Sequence, residues 1–105
     1  MLTLLNAPIL TSYGLFTFEP INTEQAKELL KNGFQSYIGH QSTCNILSRI
    51  LDENIVMNRG EYKQQPGKRA LVFRLKKRIN EGQVLNTIEE IESIGYEFGL
   101  LTRTK

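Results

Sequence analysis

The chain has 105 residues, of which 40% are hydrophobic and 23% charged, and a formal net charge of +2 at pH 7. That length suits one domain over residues 1–105, with a single core whose stability can depend on a partner subunit. A net charge of +2 is too small for a protein that coats DNA, so any nucleic-acid chemistry has to be local. Cys44 is the only cysteine, which excludes an internal disulfide and suits a reducing, cytoplasmic setting. Residues 1–5 are apolar but lack a basic leader and are too few to span a bilayer, so neither a signal peptide nor a membrane anchor is expected. No repeat, low-complexity segment or linker divides the chain.

Residues 2–5 are a nearly all-apolar run that fits a buried strand ending at Asn6, and Pro8 makes the next stretch irregular. Asn6 therefore sits at a strand end, as a turn former or as part of a site. Residues 14–19 alternate, with Phe16 and Phe18 on one face, and read as a half-buried strand that Pro20 ends. Asn22 or Thr23 caps a helix running through Asn32, with Ala26, Leu29 and Leu30 inward and Gly33 at its end.

Residues 34–38 read as a short strand. Gly39 allows a sharp turn, and Ser42 or Thr43 can cap a helix carrying Cys44, Leu47, Ile50 and Leu51 on its apolar stripe. His40, the only histidine, falls at the mouth of that helix, where freed N–H groups and the positive end of the helix dipole favour an anion. Two readings stand at this point: a capping or surface residue, and a proton donor beside a phosphate.

Residues 59–63 and 69–77 read as the two arms of a hairpin, joined by a type II turn at Gln65-Pro66-Gly67-Lys68. The period of two sends Arg74, Lys76 and Arg78 to one side of the second arm, as a solvated edge or as a cationic line. A polar loop, residues 78–82, precedes a capping box at Thr87 and Glu90 and a last helix with Ile88, Ile91 and Ile94 inside, closed by Gly95. Residues 96–102 form the final strand. The expected class is α/β (α+β), one mixed sheet of about six strands with three helices packed on it.

The residue inventory limits the chemistry. His40 and Cys44 are too few to hold a metal, Cys44 falls on an apolar stripe, and neither a GxxxxGK phosphate loop nor a dinucleotide fingerprint is present, so no cofactor is expected. His40, Arg78 and Glu81 with the basic line suit cleavage of an RNA phosphodiester without metal, the nucleophile being the substrate's own ribose 2′-hydroxyl. In that scheme His40 is the acid and Arg78 the charge stabiliser, while Glu81 is a base or an orienting group.

Leu-Leu-Asn-Ala near the start, Ile-Gly-His-Gln-Ser-Thr at 38–43, Met-Asn-Arg at 57–59 and Arg-Ile-Asn-Glu-Gly-Gln-Val-Leu at 78–85 occur in this order. Over nearly the whole chain, this set resembles the viral type III anti-CRISPR ring nucleases and their prokaryotic relatives. The resemblance implies a homodimer that binds cyclic tetra-adenylate, the second messenger of type III CRISPR defence, and cuts it to linear di-adenylates without a metal. It implies His40 as general acid with Arg78 and Glu81 completing the catalytic group, ligand contacts from Asn6, Arg59 and Arg74, and a lid around residues 78–87. Pro8-Ile9-Leu10 stands where archaeal viral members carry ligand-contacting polar residues, so Thr11 or Ser12 is expected to substitute. Asn80 stands where some relatives are acidic. A twofold dimer can present each set of side chains twice to a ring of four identical nucleotides. The competing expectation is a non-catalytic dimer that sequesters the cyclic nucleotide or an RNA end; a third is an interaction protein whose basic strand is only a protected edge.

Overall fold

A computed structural model describes residues 2–6, 13–60, 62–76 and 88–105. The elements run β1 (Leu2–Leu5), β2 (Phe16–Ile21), α1 (Thr23–Leu30), β3 (Phe34–Ser36), α2 (Gln41–Leu51), β4 (Arg69–Leu75), α3 (Ile88–Ile94) and β5 (Tyr96–Arg103). The strands form one sheet in the order β2-β5-β4-β1-β3. β1 pairs in parallel with β3 on one side and β4 on the other, while β5 runs antiparallel to β4 and to β2. The fold is thus α+β with a mixed sheet and three helices, as the sequence pattern indicates, but the sheet has five strands among the described residues rather than about six.

The missing strand is the first arm of the expected hairpin. Described residues of the 59–63 segment carry no strand pairing, because its alternation is made of charges and Gly60 and offers only Tyr62 as an apolar side chain to bury. The chain there crosses the sheet instead. Gln64 is buried and donates from Nε2 to the carbonyls of Lys68 (2.7 Å) and Leu101 (2.9 Å). The turn itself forms as expected, with Lys68 N–H donating to the Gln65 carbonyl at 3.1 Å and Gly67 at φ +84°. It feeds β4 into the centre of the sheet, between β5 and β1.

The three helices pack on one face. Asn22 caps α1 through a reciprocal pair: its side chain accepts from the Gln25 N–H (2.8 Å), and the Gln25 side chain accepts from the Asn22 N–H (2.9 Å). Ala26 and Leu30 of α1, Cys44, Ile46, Leu47 and Leu51 of α2, and Ile91 of α3 bury against Leu4, Leu71, Phe73 and Phe98 of the sheet. Gly33 and Gly95, at the expected helix ends, both take positive φ. The alternate strand positions, Leu5, Ala70, Val72 and Leu101, form a second buried cluster on the opposite face with Phe16, Tyr37 and Tyr62. Because both faces of β4 are covered at its centre, Ala70 to Phe73 are all buried and the strand reads as a continuous apolar run.

β2 departs from expectation in two ways. It continues through Pro20 to Ile21, and its residues 17–20 are exposed rather than half buried. Both follow from its place at the sheet's edge, where proline withholds no ladder donor from a neighbour on the outer side. Phe18 lies across β5 at Gly99: a Cβ on Gly99 would come within 2.3 Å of the ring. Gly99→Ala should therefore destabilise the fold by about 1–3 kcal/mol through overpacking. In urea unfolding, the double change with Phe18→Ala should recover part of that loss, a coupling that a merely entropic effect of glycine removal would not show.

Candidate functional site

Because β1, β3 and β4 run parallel, their carboxyl ends open on one edge of the sheet. The chain passes from β1 to β3 on one side, and from β3 through α2 to β4 on the other side of β1. Such a reversal leaves a crevice outside the strand ends, the usual ligand position in open sheets with crossover helices. Asn6 follows β1 at this edge and is partly buried. His40 reaches the same edge from β3 through Tyr37, Ile38 and Gly39.

His40 is itself the N-cap of α2, with extended backbone (φ −130°, ψ 126°) and no side-chain capping bond. Its carbonyl accepts from the Cys44 N–H at 3.1 Å and closes the first turn. Ser42 and Thr43 consequently lie inside the first turn, and the capping role expected of them is not seen. The reason lies upstream: the backbone of 36–39 is tied down, so the helix begins as soon as that tether ends. The imidazole is exposed and not spent on capping, next to the positive end of an 11-residue helix. Gly39 does not use the left-handed region, and a Cβ there would meet only Arg59 Cγ at 3.6 Å. The sharp glycine turn expected at this point is absent.

The tether is Asn58, which in the sequence stands out only as part of the Met-Asn-Arg run at 57–59. Its backbone N–H donates to the Ile38 carbonyl (2.9 Å), its Nδ2 to the Ser36 carbonyl (3.0 Å), and its Oδ1 accepts from the Gly60 N–H (2.9 Å). The last bond is an Asx turn, whose sequence signal is Asn with glycine two residues on. Asn58 thereby sets Arg59 beside the histidine loop, where Arg59 Nε donates to the Gly39 carbonyl at 3.0 Å. Asn6, His40 and Arg59 are thus brought to one edge, and an amide, an imidazole, a guanidinium and a helix N-terminus together suit an anionic ligand with a group to be protonated.

Arg74 is turned elsewhere. Its Nε donates to Glu97, its direct neighbour on β5, and its guanidinium lies over the Phe18 ring, 5.4 Å from the centroid. Since Phe18 belongs to β2, the side chain leans across β5 and away from β1. Lys76 follows β4 with its N–H on the Gly95 carbonyl (2.9 Å). Arg78, Glu81, Thr11 and Ser12, and the expected lid at 78–87, lie outside the described residues.

Cys44 is fully buried, and burial raises its thiol above the ordinary cysteine range; among the described residues its sulfur reaches only the Ile38 carbonyl, at 3.8 Å. It packs as core. Among the described residues no three His, Cys, Asp or Glu side chains converge on a metal position, and no helix is long and apolar enough to cross a membrane.

The comparisons with known proteins agree with the architecture. A family model described as STIV B116-like matches residues 2–98. ORF117 of Acidianus two-tailed virus is 33% identical over 100% of this chain and 92% of its own length. YddF of Bacillus subtilis is 35% identical over 94% of each chain. The solved structure of B116 from Sulfolobus turreted icosahedral virus shares the fold, with a TM-score of 0.76 over 96% of this chain and 97% of that one at 24% identity.

If Asn58 holds the site edge together, Asn58→Ala should cost about 1–3 kcal/mol in urea unfolding, since two backbone partners lose their side-chain bonds. The amide resonances of residues 36–40 should move with it while those of α1 stay in place. A variant that unfolds like the wild type with an unchanged spectrum at 36–40 would remove the tether from the account.

Proposed function

Because the chain belongs to the STIV B116-like family and sets an uncommitted histidine beside a helix N-terminus, an arginine and a strand-end asparagine, we propose that it is a metal-independent ring nuclease. Its substrate is cyclic tetra-adenylate, its products are linear di-adenylates, and its effect is to switch off type III CRISPR signalling. The observation that carries this reading is the placement of His40: an N-cap residue that forgoes capping leaves its imidazole available at the one edge where three parallel strands end.

The chemistry is an internal displacement. The ribose 2′-oxygen attacks the adjacent phosphorus, a P–O2′ bond forms, the P–O5′ bond breaks, and a 2′,3′-cyclic phosphate remains on one fragment. His40 gives its proton to the departing O5′. Glu81 receives the 2′-hydroxyl proton or orients the group that does. Arg78 and Arg59 offset charge on the phosphoryl oxygens, as guanidinium groups do for phosphates. Asn6, with Thr11 and Arg74, completes the ligand contacts. The working unit is a homodimer, whose twofold axis presents two such sets to opposite phosphates of the ring. Relatives occur both in a virus and in a bacterium, so the activity would serve either to subvert a host's defence or to reset a cell's own.

The test is incubation of the purified protein with cyclic tetra-adenylate in excess EDTA, beside His40→Ala, with products identified by mass spectrometry. Linear di-adenylate from the wild type is expected, with a loss of about 10²-fold or more in a variant that still binds the ring. Binding without turnover by the wild type would replace the enzyme with a sequestering protein, and absence of both would end the reading.

A further inference from the structure

The sheet face opposite α1, α2 and α3 carries a pocket of about 200 Å³, lined by Phe18, Pro20, Arg74, Glu97, Phe98 and Gly99. We propose that this pocket receives a single amine-bearing nucleobase, and, on the strength of the ring-nuclease reading, that the base is one adenine of the substrate. Its volume is below the roughly 300 Å³ at which pockets for drug-sized ligands begin, which suits one heterocycle and excludes a dinucleotide.

The walls match the two surfaces of a base. Phe18, seated over Gly99, and Pro20 offer an apolar, partly aromatic surface for a π-face. The edge is read by Glu97. One of its oxygens accepts from Arg74 Nε, which leaves the other oxygen to accept from an exocyclic amine. Adenine and cytosine carry that amine, whereas hypoxanthine and uracil place a carbonyl there, against the carboxylate lone pairs. Arg74 keeps donors beyond its Nε for a ring nitrogen or a neighbouring phosphate.

The pocket is preorganised. Glycine at 99 lets the Phe18 ring lie across β5, and the Arg74 guanidinium sits over the same ring. Little side-chain freedom is therefore lost on binding. It is also in range of the candidate site. Leu5 pairs with Val72, which puts Arg74 two residues past the last β4 position paired with β1, at the end where Asn6 follows β1, and β5 stands two strand spacings, about 10 Å, from β1. This placement gives Arg74 a reason to lean away from Asn6: it serves a base on the neighbouring strands rather than the phosphate at the edge.

The probe is a single nucleotide, adenosine monophosphate beside inosine monophosphate, titrated into the full chain and followed by amide resonances. Adenosine monophosphate should shift Phe18, Glu97 and Gly99 and bind about tenfold more tightly than the inosine form. Glu97→Gln, which can still accept from Arg74 but turns an amide toward the base, should bring that ratio near one in a protein with an otherwise unchanged spectrum. Phe18→Ala should weaken both nucleotides. With cyclic tetra-adenylate, Glu97→Gln should raise KM with little change in kcat. Equal affinity for the two nucleotides, or shifts confined to the His40 edge, would overturn the pocket and leave the nuclease standing. The expected shifts with no cleavage of the ring by the wild type would do the reverse, leaving a nucleobase site on a protein that is not a ring nuclease.

Discussion

The fold depends on β1, a four-residue strand with both neighbours in parallel. Its consecutive residues Leu4 and Leu5 point to opposite faces and are both essentially inaccessible, so one strand joins the helix-covered core to the cluster on the other face. A strand this short holds its place only because two ladders and two apolar layers act on it together. The same geometry has a functional consequence. Parallel pairing on both sides aligns three carboxyl ends, and the chain must cross from one side of β1 to the other by way of α2. The position of the candidate site follows from connectivity before it follows from side chains.

Onto that edge the chain adds a strap rather than another strand. Asn58 satisfies the open side of the chain beyond β3 with one backbone and one side-chain bond, and in doing so covers an edge that would otherwise present unpaired groups. It also decides where α2 starts and where Arg59 lies. A single amide thereby couples edge protection to site geometry, and the His40 side chain takes no part in capping α2.

The opposite end of the sheet follows a different logic. β2 is an edge strand with little burial, held by its ladder to β5 and by ring contacts: Phe16 and Phe18 each lie under an arginine, Arg103 at 5.7 Å and Arg74 at 5.4 Å. At exposed positions each such contact is worth about 0.5–1 kcal/mol. Arg103 does more, donating to the carbonyls of Tyr13, Gln64 and Lys105 and so gathering three loose segments at one guanidinium. Arg74 and Arg103 are thus both tied into the sheet.

Local sequence by itself determined the features whose causes are local. The Asn22 cap with Gln25, the helix ends at Gly33 and Gly95, the turn at Gly67, the apolar runs of β1 and β4 and the core stripe of α2 all rest on residues within one turn or one strand of each other. The position of His40 at a strand-to-helix junction was readable for the same reason. Only the tertiary structure decided the rest. Residues 59–63 carry an alternation that a strand could use, but both sides of β4, the arm they were expected to pair with, are taken by β5 and β1. Pro20 is admitted because β2 is an edge, and no pattern within six residues states which strand that will be. Arg74 alternates onto the expected side of β4, yet whether its long side chain leans toward Asn6 or toward Glu97 depends on which strand lies next to it. Periodicity specifies a face. The order of strands across the sheet specifies the neighbour, and that order is set by contacts far apart in the chain.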